Sequence, residues 1–450
     1  MSQALAGTDA GDAARRRAHV YRAVWRWHFY AGLFSLPFLI LLAVTGGLYL
    51  FKDEIDLARH ADLLSVSPSE APKPWSDLVA TALSAQPGRA AKLVLPATPS
   101  RSLEVQIDDA ERARQSVYVD PGRGAVLGAL PTDGKLMQVV RKLHSLAFFG
   151  DIPNRAIEIV GGWTIVLVVT GIYLWWPRGG QALRIRGTPG GRLFWRDLHA
   201  VTGLFAGGFI LFLAVTGMPW SGIFGDLLNR GVSAAGQGYP LYLWDATPTS
   251  TVPLGADGPV AWTLEQSPVP VSTPVPAARP IGIDRAVAIA GAAGIAPGFT
   301  LVLPKGAEGV YTATVFPDDI TLQRAIHIDQ YSGAILADVG FADYGLGARA
   351  IEFGTNVHVG QEFGPLNQML MLLACVAIVG LSVSALVMWW KRRPAGGLAV
   401  PPLPAPRALA GVTAIVFALA LIFPLTAASL VVVALLDTLF HLPALRARAA

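Results

Sequence analysis

A single cysteine, Cys375, occurs among 450 residues, and it falls inside a hydrophobic run. One cysteine excludes an intrachain disulfide, the C-x-x-C-H attachment of c-type haem, and the cysteine sets of iron–sulfur and zinc sites. The six methionines are scattered and form no copper-type cluster. Any metal chemistry therefore rests on histidine, carboxylate or a cofactor held without covalent links. Charge is scarce as well. Asp, Glu, Lys and Arg make up 15% of the chain against 53% hydrophobic residues, and mean hydropathy is +0.47. So apolar a chain is not an ordinary soluble protein.

Charge-poor runs long enough to span a bilayer occur at about 29–51, 159–177, 200–222, 366–390 and 409–436. The first is longer than a signal-peptide core and leads into LYLFKDEID with no small-residue cleavage site, so it reads as an uncleaved span. Basic residues cluster in the N-terminal tail (Arg15, Arg16, Arg17, Arg22, Arg26). Two further clusters, Arg178 to Arg196 and Lys391 to Arg407, contain no acid. The positive-inside rule puts all three in the cytoplasm, and residues 52–158 and 223–365 outside. Trp175, Trp176, Trp389 and Trp390 fit an aromatic belt at the inner interface. The pI near 9.2 thus reports topology and not nucleic-acid binding, since the basic residues flank spans and form no aromatic-interleaved patch.

Four of the eight histidines keep register within an internal repeat. His28 and His199 each open an H-x3-G-L-F run and are followed seventeen residues later by the threonine of A-V-T-G, Thr45 and Thr216. His144 and His358 each have Phe-Gly at +5 and +6 and a Trp-Trp pair beginning thirty-one residues on. The first and third spans match at an offset of 171 residues, the second and fourth at 214. Both copies run in the same direction, so the pseudo-twofold axis lies along the membrane normal. The fifth run has no counterpart, and its His441 has no partner.

The segments between spans repeat too. A helix is expected at 75–85, with strands near 91–96, 102–108 and 115–120. The second copy has a helix near 282–293 and strands near 299–303, 309–316 and 322–329. Each copy ends in a turn, Asp120-Pro121-Gly122-Arg123-Gly124 in one and Asp329 to Gly333 in the other. The 43-residue difference in offset falls mainly at 223–278, a Pro-, Gly- and Thr-rich stretch carrying Tyr239, Tyr242, Trp244 and Trp262. It reads as an ordered loop, either part of a binding surface or packing.

The expected fold is an α-helical integral membrane protein, a pseudo-twofold four-helix bundle plus a fifth C-terminal span, with two small periplasmic α+β modules. In order these are a cytoplasmic tail (1–26), a first span (27–51), a module (52–143), and a histidine segment with the second span (144–177). A cytoplasmic loop (178–196), a third span (197–222), the insertion (223–278) and the second module (279–345) follow. A histidine segment with the fourth span (346–390), a cytoplasmic loop (391–408) and the fifth span (409–437) complete the chain.

A cofactor on the axis would receive one histidine from each repeat, and two imidazoles on one iron is how a b-type haem is held. Two such haems are expected, one between His28 and His199 and one between His144 and His358. Gly32 and Gly203, at histidine +4, leave room for a flat macrocycle. Arg26, Arg196, Arg141 and Arg155 lie near enough in sequence to pair with haem carboxylates. His19 and His60 read as surface residues, and His327, aligned with Tyr118, as structural.

At these residues the chain resembles the PepSY-associated transmembrane family, which includes inner-membrane ferric-siderophore reductases and iron-regulated membrane proteins. The resemblance covers about residues 20–395. It is carried by the His28 span with A-V-T-G, by HSLAFFG…TGIYLWWPR, by RDLHAVTGLF…AVTG, and by VDPGRGAVL and IDQYSGAIL, which look like the PepSY signature. It implies two b-type haems that carry electrons across the bacterial inner membrane to a ferric siderophore in the periplasm. By motif match, His28 and His199 would hold the cytoplasmic-side haem and His144 and His358 the periplasmic-side one. No flavodoxin-like or NAD-binding domain is fused, so a cytoplasmic reductase or a quinol would donate the electrons. Two other readings stand beside this one. The first is a histidine-based metal transporter without haem, which would want ionisable residues along the spans. The second is a non-redox sensor or scaffold acting through its PepSY-like modules.

Overall fold

The computed structural model describes residues 2–69, 71–109, 111, 113–176, 183–240, 249–258, 260–394 and 400–449; Arg178, Tyr242 and Trp244 lie outside them. In chain order the helices are α1 (Ser2–Tyr49), α2 (Lys52–Arg59), α3 (Ala61–Leu64), α4 (Trp75–Ala85), α5 (Leu136–His144), α6 (Asp151–Trp175) and α7 (Arg192–Gly217). Then come α8 (Gly222–Ala234), α9 (Ile283–Ala292), α10 (Leu346–His358), α11 (Pro365–Arg392), α12 (Pro406–Ala420) and α13 (Pro424–Ala449). The chain divides into two compact units. One is Met1–Gly47, Leu143–Leu227 and Met369–Ala450; the other is Leu48–Lys142 and Leu228–Gln368.

The first unit is helical. Four helices are long and apolar enough to cross a membrane: Gly11–Tyr49, Asp151–Trp175, Arg192–Trp220 and Pro365–Arg392. Even the shortest, at 25 residues, exceeds the ~30 Å of a bilayer core at ~1.5 Å per residue. They meet in a small core of Ala43, Val168, Ala206, Ile210, Cys375 and Ile378, one or two residues from each helix. The N-terminal residues expected as a tail continue α1 as helix. At the basic end, Arg393 lies 3.8 Å above the Trp390 ring, and Arg392 stacks over Trp25 and Phe29.

The expected fifth span is corrected by the structure. Residues 409–437 do not form one continuous helix; they break at 421–423 into α12 and α13, of 15 and 26 residues. Pro424 is the physical reason. It has no N–H to give and disfavours helix at the residue before it. The two helices form a hairpin against α1 and α6. Its first strut starts where Ala405 N–H donates to His19 Nδ1 (3.0 Å) and continues past Trp27, whose Nε1–H donates to Thr413 (3.0 Å). The second strut starts at Glu158, passes Trp163, which donates to Ser429 (2.9 Å), and returns to Arg26, which is paired with Asp437. Both ends of the hairpin therefore stand at the arginine-rich end of α1. A reporter fused after Ala450 is expected on the same side of the membrane as one fused to the N-terminus, and opposite-side signals would refute the hairpin.

The second unit is built on one antiparallel sheet of eight strands. These are β1 (Arg89–Val94), β2 (Leu103–Asp108), β3 (Arg114–Val119), β4 (Val126–Pro131), β7 (Thr300–Val302), β8 (Val310–Val315), β9 (Arg324–Asp329) and β10 (Ile335–Gly340). A separate two-stranded ribbon, β5 (Thr249–Pro253) with β6 (Pro268–Pro270), lies in the insertion. The sheet order β10-β9-β8-β7-β1-β2-β3-β4 joins the two repeats edge to edge, with Leu93 opposite Leu301. The modules expected as separate thus share one sheet, because each copy's first strand offers the other an unpaired edge. α4 and α9 cover one face over a core that includes Leu78, Leu93, Ala286 and Leu301. Trp75 N–H donates to Asp284 between these helices (2.6 Å).

The insertion covers part of the other face. Tyr239, Leu254, Ala261 and Leu264 pack on Ala325, Val339 and Tyr344, so this part of it serves as packing. The two turns match. Asp120 Oδ1 accepts from the N–H groups of Gly122 and Arg123, and Asp329 Oδ1 from those of Tyr331 and Ser332. Each turn closes on a glycine at positive φ, Gly124 at 70° and Gly333 at 76°, where a Cβ would strain the backbone. His327 is fully buried on β9, where burial lowers its imidazole to about 4, and it shares a hydrogen bond with Thr312 (2.9 Å).

Candidate functional site

Three spans of the bundle, α1, α6 and α11, present a small hydroxyl residue on which a histidine from another segment seats. His28, on α1, turns its Nδ1 to α6, toward the Leu167 carbonyl and the Thr170 hydroxyl, both at 3.1 Å. A carbonyl oxygen only accepts, so Nδ1 carries the proton and donates. The Thr170 hydroxyl spends its own proton on the Val166 carbonyl (2.6 Å), which leaves its oxygen to accept as well. His28 is thereby held as the Nδ1–H tautomer, and the lone pair of Nε2 is left for a ligand.

The second repeat builds the same seat. His199, on α7, donates from Nδ1 to the Leu381 carbonyl (3.2 Å) and the Ser384 hydroxyl (2.9 Å) of α11, and Ser384 donates to Leu381 (2.8 Å). Leu381 and Ser384 lie 214 residues after Leu167 and Thr170, the offset of these spans. His28 and His199 are also near enough to influence one another electrostatically.

His144 repeats the arrangement on α1. Its Nδ1 meets the Thr45 hydroxyl at 3.0 Å, and Thr45 donates to the Leu41 carbonyl (2.6 Å). Thr216, the repeat counterpart of Thr45, likewise donates to its own preceding turn, at Phe212 (2.7 Å). His358 is the last residue of α10 in the second unit, and that helix end is tied down by Asn367, which donates to the Val357 carbonyl (3.0 Å).

Glycine follows the hydroxyl residue where the ring lies closest. A Cβ on Gly171 would come 3.2 Å from His28 Cε1, and one on Gly46 3.2 Å from His144 Cε1. The Thr-Gly pairs of the spans are therefore histidine seats as well as packing positions. Gly32 and Gly203 face the same leucines whose carbonyls take the histidine protons. A Cβ at either would meet Leu167 or Leu381 at an ordinary 3.6 Å, so protein packing alone does not demand glycine there.

The four arginines fare differently. Arg26 is buried, paired with Asp437 and bonded to the Pro401 carbonyl, and Tyr30 donates to the same carboxylate. The Arg26 guanidinium, expected beside a cofactor carboxylate, is thus engaged in fixing the hairpin. Arg196 shares the buried Asp197 with Arg186. Arg141 donates to Gln138 (3.1 Å), and Arg155 packs its stem on Gly222. Glu158 is buried and caps two helix starts at once, taking the N–H of Phe224 (3.0 Å) and of Leu425 (2.8 Å). Leu167, Thr170, Gly171, Leu381 and Ser384 were missed from sequence. The V-T-G at 169–171, an echo of the A-V-T-G runs, was the available signal.

Among the described residues no group of three or more His, Cys, Asp or Glu is arranged to hold a bare metal ion. What the chain offers instead is single imidazoles with a fixed tautomer at repeat-related points of a helical bundle. It is a helical membrane protein with a duplicated architecture. Residues 25–392 match the model of the PepSY-associated TM region, and the chain belongs to that family. No curated protein matches it.

Proposed function

We propose that this chain is a di-haem, b-type electron-transfer protein of the bacterial inner membrane, N-terminus inside, that reduces a ferric siderophore or other ferric chelate in the periplasm. His28 with His199, and His144 with His358, would hold the two haems. A cytoplasmic reductase or a membrane quinol donates the electrons. The observation that carries this reading is the common seat of His28, His199 and His144. In each, Nδ1 is bound by a hydroxyl of a neighbouring span, and in His28 and His199 by a carbonyl as well, the support that iron- and zinc-bound histidines receive from their surroundings. When bound, the haem supplies one-electron chemistry at its iron.

The protein's part is to hold, orient and insulate. The carbonyl partners of Nδ1 raise the basicity of Nε2, and the hydroxyls fix the ring plane. Gly32 and Gly203 leave a flat surface one turn from His28 and His199. Fe(III) is harder and more highly charged than Fe(II), so anionic oxygen chelators hold it more tightly, and one added electron loosens the iron. No proton-transfer group is required for that step. Against a transporter, Glu158 is engaged by backbone N–H groups, and Asp197 and Asp437 by arginines. A sensor or scaffold would leave the repeated seats without a role.

The test is the absorption spectrum of detergent-purified protein, oxidised and reduced, with haem counted by pyridine haemochrome. A b-type α-band and two haems per chain are expected. A colourless protein made with adequate haem supply would sink the reading. Removing the hydroxyl from a seat should weaken one haem selectively. Thr170→Val and Ser384→Ala are each expected to lower retention of the His28–His199 haem by roughly 10–100-fold in a haem-transfer assay to apomyoglobin, leaving the other unchanged.

A further inference from the structure

The second unit buries a carboxylate among oxygen atoms that have nothing to bind. Glu352, on α10, accepts from the backbone N–H of Thr263 (3.1 Å) and of Trp262, and from the side chain of Gln323. Asn229, on α8, donates through Nδ2 to the Trp262 carbonyl (2.9 Å), and Tyr344 is close enough to feel the Glu352 charge. All five side chains are nine-tenths or more buried. Asn229 Oδ1, Thr263 Oγ1, Gln323 Oε1 and the Tyr344 hydroxyl find no hydrogen-bond partner among the described residues. Among the described residues no basic side chain acts on Glu352, and burial pushes its carboxyl from an ordinary 4.5 up to about 7.

Burial without a basic partner makes a charged carboxylate costly and favours a proton or a cation beside it. A proton on Glu352 supplies a single O–H, enough for one of the four unpaired oxygens, and leaves the other three orphaned. A cation neutralises the charge and gives the amide and hydroxyl oxygens a partner together. The donors are all oxygen, which is the chemistry of hard cations. With a single carboxylate and side chains on three separate segments, the set suits Ca²⁺ or Na⁺, which accept irregular coordination, over Mg²⁺, which keeps its octahedral waters.

We propose that Glu352, Gln323, Thr263, Asn229 and Tyr344 form a buried site for a hard cation, Ca²⁺ or Na⁺, that ties α10 to the 223–278 insertion. The site is independent of the haem reading. It fixes the helix that ends at His358 and covers part of the sheet with the loop that carries Trp262.

Thermal melting of the detergent-purified full-length protein, followed by tryptophan fluorescence, tests this. After EDTA treatment in choline chloride, CaCl₂ or NaCl at matched ionic strength is expected to raise Tm by about 3–5 °C, and MgCl₂ by much less. Which salt acts decides between the two cations. Glu352→Gln should abolish the increment. Should that variant not fold, Gln323→Ala should move the midpoint of the cation titration at least about fivefold higher. An increment that survives in the folded Glu352→Gln variant overturns the proposal. So does a Tm that no cation moves and that falls as pH rises from about 4.5 to about 7, the sign for a carboxyl with a raised folded-state pKa neutralised by a proton alone.

Discussion

Alanine at His28 or at His199 is expected to remove the same haem, and alanine at His144 or His358 the other. Each single variant should retain about one haem per chain by pyridine haemochrome and reduce a ferric chelate no faster than background. The reasoning is that a b-type haem has no covalent tether, so the axial imidazoles supply its coordination. In the proposed function electrons would pass through both groups, so loss of either would interrupt transfer. The pairing makes the pattern sharper than the loss alone. The double variant His28→Ala/His199→Ala should match the singles, whereas His28→Ala/His144→Ala should be colourless. Folding is checked independently by the elution volume and helical circular dichroism. In the structure the His28 ring bonds only Leu167 and Thr170 through Nδ1, so its removal disturbs one local contact. Both haems surviving in any of the four single variants would break the assignment.

Much of the architecture was legible because the repeat supplied two readings of each element. The apolar runs became α1, α6, α7 and α11, and the Asp-to-Gly turns at 120–124 and 329–333 closed as read. α4 fell on the expected 75–85. What remained hidden depends on contacts between distant segments. The joining of β1 to β7 leaves no trace in either strand alone, since any unpaired edge reads alike. The C-terminal run scored as one span because hydropathy counts apolar residues and takes no account of Pro424 within them. At the site, histidines and glycines stood out in the sequence, whereas Ser384 did not. It performs in α11 the task of Thr170 but is followed by Ala385 and not glycine, so the Thr-Gly pattern is broken there. The ion pair of Arg26 was hidden because its partner, Asp437, lies 411 residues away.

Asp437→Ala is expected to be the most destabilising single change in the helical unit. Arg26 and Asp437 are both largely withdrawn from solvent, and Tyr30 donates to the same carboxylate. Removing the acid strands a guanidinium that α1 cannot turn outward, at a cost of about 3–5 kcal/mol, and leaves a phenol without its acceptor. Asp437→Asn should cost less, because the amide oxygen still accepts from Tyr30 and Arg26. The pair is expected to be far more tolerant than either partner. Arg26→Met with Asp437→Leu replaces both charges by apolar groups of similar size, and its melting temperature should return close to the parent's. The same double variant separates two roles for Arg26. If the guanidinium serves only to fix the α12–α13 hairpin, the repaired protein keeps its full haem content. If it also holds a haem carboxylate, the haem between His28 and His199 is lost from a protein whose stability has been restored.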